Sequence, residues 1–144
     1  MPIVGFYVKN ISAQKRNPPK DRVDINTTVN ILSLEETSVG IKNKEKALDV
    51  SFEFFTKYEP NVGEIRLEGH AMYIGNKVNE ALKTWRKEKK VLPEVDVEVK
   101  NFLFRKCMTI EINIAENMNL PPPLMFPTVM LNKGKDEKDT RYIG

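Results

Sequence analysis

The stretch from Val95 to Met118, VDVEVKNFLFRKCMTIEINIAENM, lies in the longest part of the chain without Pro or Gly, closed by Leu120 and three consecutive prolines. At 3.6 residues per turn, Val99, Leu103, Cys107, Ile110, Ile114 and Met118 fall into one apolar stripe. Val97, Phe104, Met108 and Ala115 form a second stripe beside it, while Arg105, Thr109, Asn113 and Glu116 gather on the remaining side. This apolar arc covers roughly half the helix, wider than the ~100° of a single core-facing stripe. Such a helix asks for two partners, its own sheet and a second surface. Thr109 to Ile114 also alternates and is β-branched, so a strand competes locally; the 3.6-residue period, unbroken through both flanks, favours the helix.

Upstream the period changes to two. Val23, Ile25, Thr27, Val29 and Ile31 alternate with polar residues, which predicts a strand over 23–41, bent near Glu35-Glu36-Thr37 where the alternation slips. Leu48, Val50, Phe52, Phe54, Thr56 and Tyr58 alternate with Asp49, Ser51, Glu53, Phe55 and Lys57. After the turn residues Pro60-Asn61-Val62-Gly63, the positions Ile65, Leu67, Gly69, Ala71 and Tyr73 continue that period on a returning strand, making a hairpin. Charge sets its expected register, with Lys57 opposite Glu68, Glu59 opposite Arg66 and Asn61 to Glu64 as the loop. The small Gly69 and Ala71 leave room on the inner face for the long helix. A first strand is expected over 5–13, and Val78, Ala81, Leu82 and Trp85 predict a short helix over 77–89.

The order ββββαα predicts an α+β fold, a four-stranded antiparallel sheet with a short and a long C-terminal helix on one face. Residues 1–131 make one domain, and 132–144 a charged tail without periodicity. The stretch from Pro121 to Pro127 must be extended, and its Leu124, Met125 and Phe126 are apolar enough to dock onto the domain.

A chain of 144 residues with 40% hydrophobic content can bury about two-thirds of its unfolded surface. One cysteine, Cys107, excludes an internal disulfide and sits on the apolar stripe as a small hydrophobe. No signal peptide and no apolar run near the ~18 residues of a membrane span are visible, which points to the cytoplasm. His70, the single histidine, would share an outer face with Asp49, Glu53 and Glu68, where solvated charge is the ordinary reading. No two-histidine motif, P-loop, GxSxG, GxGxxG or HExxH occurs, so the expectation is no catalytic residue, no metal and no cofactor. The basic run from Lys83 to Lys90 leaves a nucleic-acid-binding alternative through Lys83, Arg86, Lys87 and Lys90. A net charge of +3 does not by itself demand it.

The chain resembles the SecB export chaperones. The crossover and strand entry Lys20-Asp-Arg-Val-Asp-Ile-Asn-Thr27, the long-helix segment Phe102-Leu-Phe-Arg-Lys-Cys107 and the approach Leu120-Pro-Pro-Pro-Leu-Met-Phe126 carry the resemblance. It implies a SecB-like sheet, holding of unfolded polypeptide clients without nucleotide, and a homodimer or homotetramer with long helices packed between sheets. In that reading Val29, Ile31 and Phe55 line an apolar peptide groove with Leu124, Met125 and Phe126, and Phe104, Met108 and Ala115 face a neighbouring subunit. The chain departs from the family in being basic and in its short, Pro-rich end, which leaves coupling to an export motor without a counterpart.

Overall fold

The structure is a computed structural model that describes residues 2–18 and 22–124. Four strands, β1 (Ile3–Lys15), β2 (Asp24–Val39), β3 (Glu45–Glu59) and β4 (Gly63–Tyr73), precede two helices, α1 (Val78–Glu88) and α2 (Pro93–Asn117). The strands form one antiparallel sheet in the order β1-β4-β3-β2, so the hairpin is central and β1 and β2 are the edges. The α+β architecture read from the sequence is the one observed. The 131/132 boundary and the charged tail lie outside the described residues.

Alternation decides the faces. Leu48, Val50, Phe52, Phe54, Ile65, Leu67 and Ala71 are fully buried under the helices, and their neighbours on the opposite face stay partly wet. Phe6 stacks on Phe52 with centroids 5.7 Å apart and meets the edge of Phe102 at 5.7 Å, joining β1, β3 and α2. The space at Gly69 is therefore filled by the sheet itself rather than by the helix. A Cβ there would lie 2.1 Å from the Tyr7 carbonyl oxygen and 3.1 Å from the Phe52 ring.

Both edge strands carry irregularities. The register shifts in β2 between Ile31 and Ser33, so Ile31 faces Phe52 on the inner side while Leu34, opposite Val50, takes over after the shift. This bulge at Leu32 is the source of the slip in alternation that the sequence placed at Glu35-Glu36-Thr37. In β1 the register shifts between Ile3 and Gly5 and between Val8 and Asn10, so inner positions change from Phe6 and Val8 to Ile11 and Ala13.

The hairpin register differs from the expected one by four residues. Lys57 lies opposite Glu64, Phe55 opposite Arg66, and Glu53 opposite Glu68. A shift of four preserves which side chains face in, so the apolar pattern could not choose between the registers. The shorter loop is selected because Val62 is buried beneath it and Asn61 supplies a left-handed residue at φ 52. The resulting Glu53/Glu68 juxtaposition is relieved by Arg66, 2.6 Å from Glu53, and by Asn10, which donates to Glu68 at 3.1 Å.

Helix α2 begins with Pro93 in its first turn, where a missing N–H costs nothing, and with Glu94 and Asp96 at its positive end. It ends in a Schellman motif. Asn119 is left-handed at φ 55, the Leu120 N–H donates to the Ala115 carbonyl at 2.9 Å, and Leu120 packs in the same cluster as Ala115. Its buried row is Val95, Val99, Leu103, Cys107, Glu111 and Ala115, each at 0% exposure and each four residues from the last. An i, i+4 row is inclined by about 26° to the helix axis, so the row facing the sheet departs from the stripe Cys107, Ile110, Ile114, Met118 that follows the axis.

Candidate functional site

The candidate surface lies where α2 passes the start of β1. Pro2, Ile3, Glu98, Asn101, Phe102, Phe104 and Arg105 line an open groove of about 550 Å³. Ile3 and Phe102 form its floor as members of the main core, each under 10% exposed. Phe104 forms the rim at 41% exposure, held edge-on against Phe54 with centroids 5.6 Å apart. The groove is fixed in place by the Tyr73 hydroxyl, which donates to Glu98 at 2.6 Å. Burial, followed by that hydrogen bond and the nearby carboxylates, pushes the tyrosine up to about 12, so it remains a donor at any ordinary pH. Val97, one heptad before Phe104, is also exposed, at 57%, two turns away on the same helix. The floor is aromatic, the rim is apolar with one carboxylate and one guanidinium, and no nucleophile with an adjacent base lines it. Such a surface suits the apolar side chains of a polypeptide.

The residues expected to form a groove do not share one surface. Val29 and Ile31 pair with Phe54 and Phe52 on the helix-covered face and pack in the main core. Phe55 points from the opposite face, where the Arg66 guanidinium lies 4.4 Å over its ring. The reason is the period of two: up to Ile31, odd residues of β2 pair with even residues of β3, so a set mixing Val29 and Ile31 with Phe55 straddles the sheet. Leu124 is exposed, and Met125 and Phe126 lie outside the described residues.

The second expected stripe also divides. Phe104 is exposed and Met108 is half-buried against the main core, but Ala115 is fully buried beside Tyr58, Val62, Ile65 and Leu120. The oblique seating of α2 carries Ala115 into the sheet and removes it from any outward stripe. On α1, Arg86 reaches Glu36 of β2 at 3.3 Å, which ties down one of the four basic residues of the nucleic-acid alternative.

On the uncovered sheet face His70 Nδ1 donates to the Asp49 carboxylate at 2.7 Å, and its ring stacks on Tyr7 with centroids 5.2 Å apart. Among the described residues no group of His, Cys, Asp and Glu has the arrangement of a metal site.

Sequence reasoning missed Glu111. Its carboxyl is wholly buried, Oε1 accepts from the Thr56 hydroxyl, and that hydroxyl lies 3.0 Å from Thr27 Oγ1. Oε2 has no hydrogen-bond partner among the described residues. Burial, opposed by the Thr56 hydrogen bond, raises Glu111 to about 8, so it is mostly a neutral acid at pH 7. The signal was present in the sequence: Glu111 is one turn from both Cys107 and Ala115.

No family model matches the chain, and no curated protein matches it. Among solved structures it is similar to the Mycobacterium tuberculosis SecB-like chaperone in complex with a ChAD peptide from the HigA1 antitoxin. That match covers 90% of this chain and 91% of the other, at 12% sequence identity and a TM-score of 0.49.

Proposed function

We propose that the protein is a peptide-binding chaperone of the SecB-like kind, which holds apolar and aromatic segments of unfolded polypeptide without catalysis. The observation that carries this reading is the open groove floored by Phe102 and Ile3 and rimmed by Phe104. Exposed aromatic and aliphatic side chains held on a rigid helix have little rotamer freedom left to lose when a client binds. The family resemblance carried by the crossover, the long-helix segment and the Pro-rich approach points the same way. Assembly as a homodimer or homotetramer, with Met108 near the contact and Phe104 left to the groove, belongs to the same reading, as does a cytoplasmic location. Among the described residues no helix is long and apolar enough to cross a membrane.

The test is anisotropy of a fluorescently labelled, reduced and unfolded polypeptide titrated with the protein at low and high salt. Apolar capture survives or strengthens in salt, and Phe104→Asp weakens it by about tenfold or more. A protein that binds no unfolded chain, or only a polyanion with affinity falling steeply in salt, refutes the reading. Light scattering on the wild type and Met108→Glu checks the assembly: a dimer or tetramer that shifts towards monomer is expected.

A further inference from the structure

The core is divided by a polar rung. On β2, Thr27 stands between Ile25 and Val29; on β3, Thr56 stands between Phe54 and Tyr58; on α2, Glu111 stands between Cys107 and Ala115. In each case one apolar neighbour belongs to the main cluster and the other packs in or against a smaller one. The smaller cluster is Tyr58, Val62, Ile65, Ala115 and Leu120, and its lid is the end of α2 with the residues after it. That lid is held by the Schellman bond from Leu120 to Ala115 and by the Tyr58 hydroxyl, which donates to the Pro121 carbonyl at 2.7 Å.

We propose that this rung is a proton-operated latch: with Glu111 protonated the last turns of α2 and the Leu120–Pro121 stretch stay on the sheet, and loss of that proton releases them as a unit. The release bares Tyr58, Val62 and Ile65, an apolar surface separate from the Phe102 groove.

The electrostatics of the rung set the direction. From α2 the titratable group facing Glu111 is Cys107, and from β3 it is Tyr58. Burial first, and Glu111 second, pushes Cys107 up to about 12 and raises Tyr58 well above the ordinary phenol range. Both stay neutral while Glu111 titrates. β2 contributes only the Thr27 hydroxyl, and β4 contributes Ile65 and Leu67 around Thr56. Among the described residues Glu111 has no cationic partner, so a carboxylate formed there is compensated by one hydroxyl and is driven towards water. The latched form holds a proton that the opened form releases, with its carboxyl back near 4.5. Opening therefore becomes easier as pH rises from about 4.5 to about 8 and gains nothing further above that.

The experiment is amide hydrogen exchange followed by NMR on the intact protein between pH 5.5 and 9.5, with each rate divided by the intrinsic rate at that pH. For amides from Glu111 to Leu120 the opening constant is expected to rise about tenfold per pH unit through neutrality, to level off near pH 8, and to stay at least tenfold above that of Val50 to Phe54, which open only when the whole domain unfolds. Glu111→Gln removes the slope. A wild type without it, opening constants for Glu111 to Leu120 no larger than those of β3, or a Gln variant that keeps the slope overturns the latch. If Glu111→Gln does not fold, the carboxyl ¹³C resonance of Glu111 in the wild type decides. A midpoint where the exchange slope levels off supports the proposal, and one in the ordinary carboxylate range overturns it.

Discussion

Gly69→Ala tests how closely β1 is seated against the hairpin. A Cβ at this position would meet the Tyr7 carbonyl oxygen at 2.1 Å, the Val8 Cα at 2.9 Å and the Phe52 ring at 3.1 Å. Two of these are backbone atoms, which cannot rotate away, so the methyl is accommodated only if β1 moves outward beside its bulge. Overpacking of this kind costs about 1–3 kcal/mol. Lengthening one or two ladder hydrogen bonds adds about 1 kcal/mol each, and the smaller unfolded-state entropy of Ala returns about 0.4–1 kcal/mol. The net loss is about 1–4.5 kcal/mol, a large share of the 5–15 kcal/mol typical of a domain. Gly5→Ala is the control, since its Cβ would meet only the Met72 side chain, at 3.2 and 3.4 Å, and that chain is flexible. Urea unfolding followed by Trp85 fluorescence and far-UV CD should show Gly69→Ala with a lower midpoint and Gly5→Ala within about 0.5 kcal/mol of the wild type. Equal stability for the two variants would falsify the close seating of β1.

Leu103→Ala, at a fully buried position of the main core, is expected to cost about 2–5 kcal/mol in the same assay. Val97→Ala, on the exposed side of the same helix, should stay within about 0.5 kcal/mol. Thr56→Val keeps the shape of the rung but removes the hydroxyl between Thr27 and Glu111, leaving Oε1 without its donor at a cost of about 1–3 kcal/mol. Because that hydrogen bond holds Glu111 down, its carboxyl ¹³C midpoint should move upward in the variant; a fall would show that another group sets the acidity.

The sequence disclosed what periodicity controls and little of what single residues control. The six elements, their faces and the helical state of Thr109 to Ile114 follow from repeats of two and 3.6 sustained over many positions. The bulge at Leu32 was visible only as a slip in alternation, because one inserted residue flips the phase without leaving a composition of its own. The hairpin register was not legible at all from the apolar pattern, and charge pairing chose wrongly because the burial of Val62 and the short turn outweigh two exposed ion pairs. The site was misread for a related reason. The helical projection put Ala115 on an outward stripe and assigned Glu111 to no surface, whereas the tilt of α2 brings both against the sheet. Tilt is a property of the packed pair, which a helical projection of one segment does not contain.

The placement of the irregularities has a consequence for the protein's own solubility. The central pairing of β3 with β4 is continuous, while both edge strands are interrupted, β1 before Gly5 and again before Asn10, and β2 before Ser33. An exposed edge offers unpaired amides to any passing extended chain, including another copy of itself. Each kink breaks the row of donors and acceptors into short lengths, so an arriving strand finds no long template along which to zip. The perimeter of the sheet is thus kept free of a long pairing template on both sides.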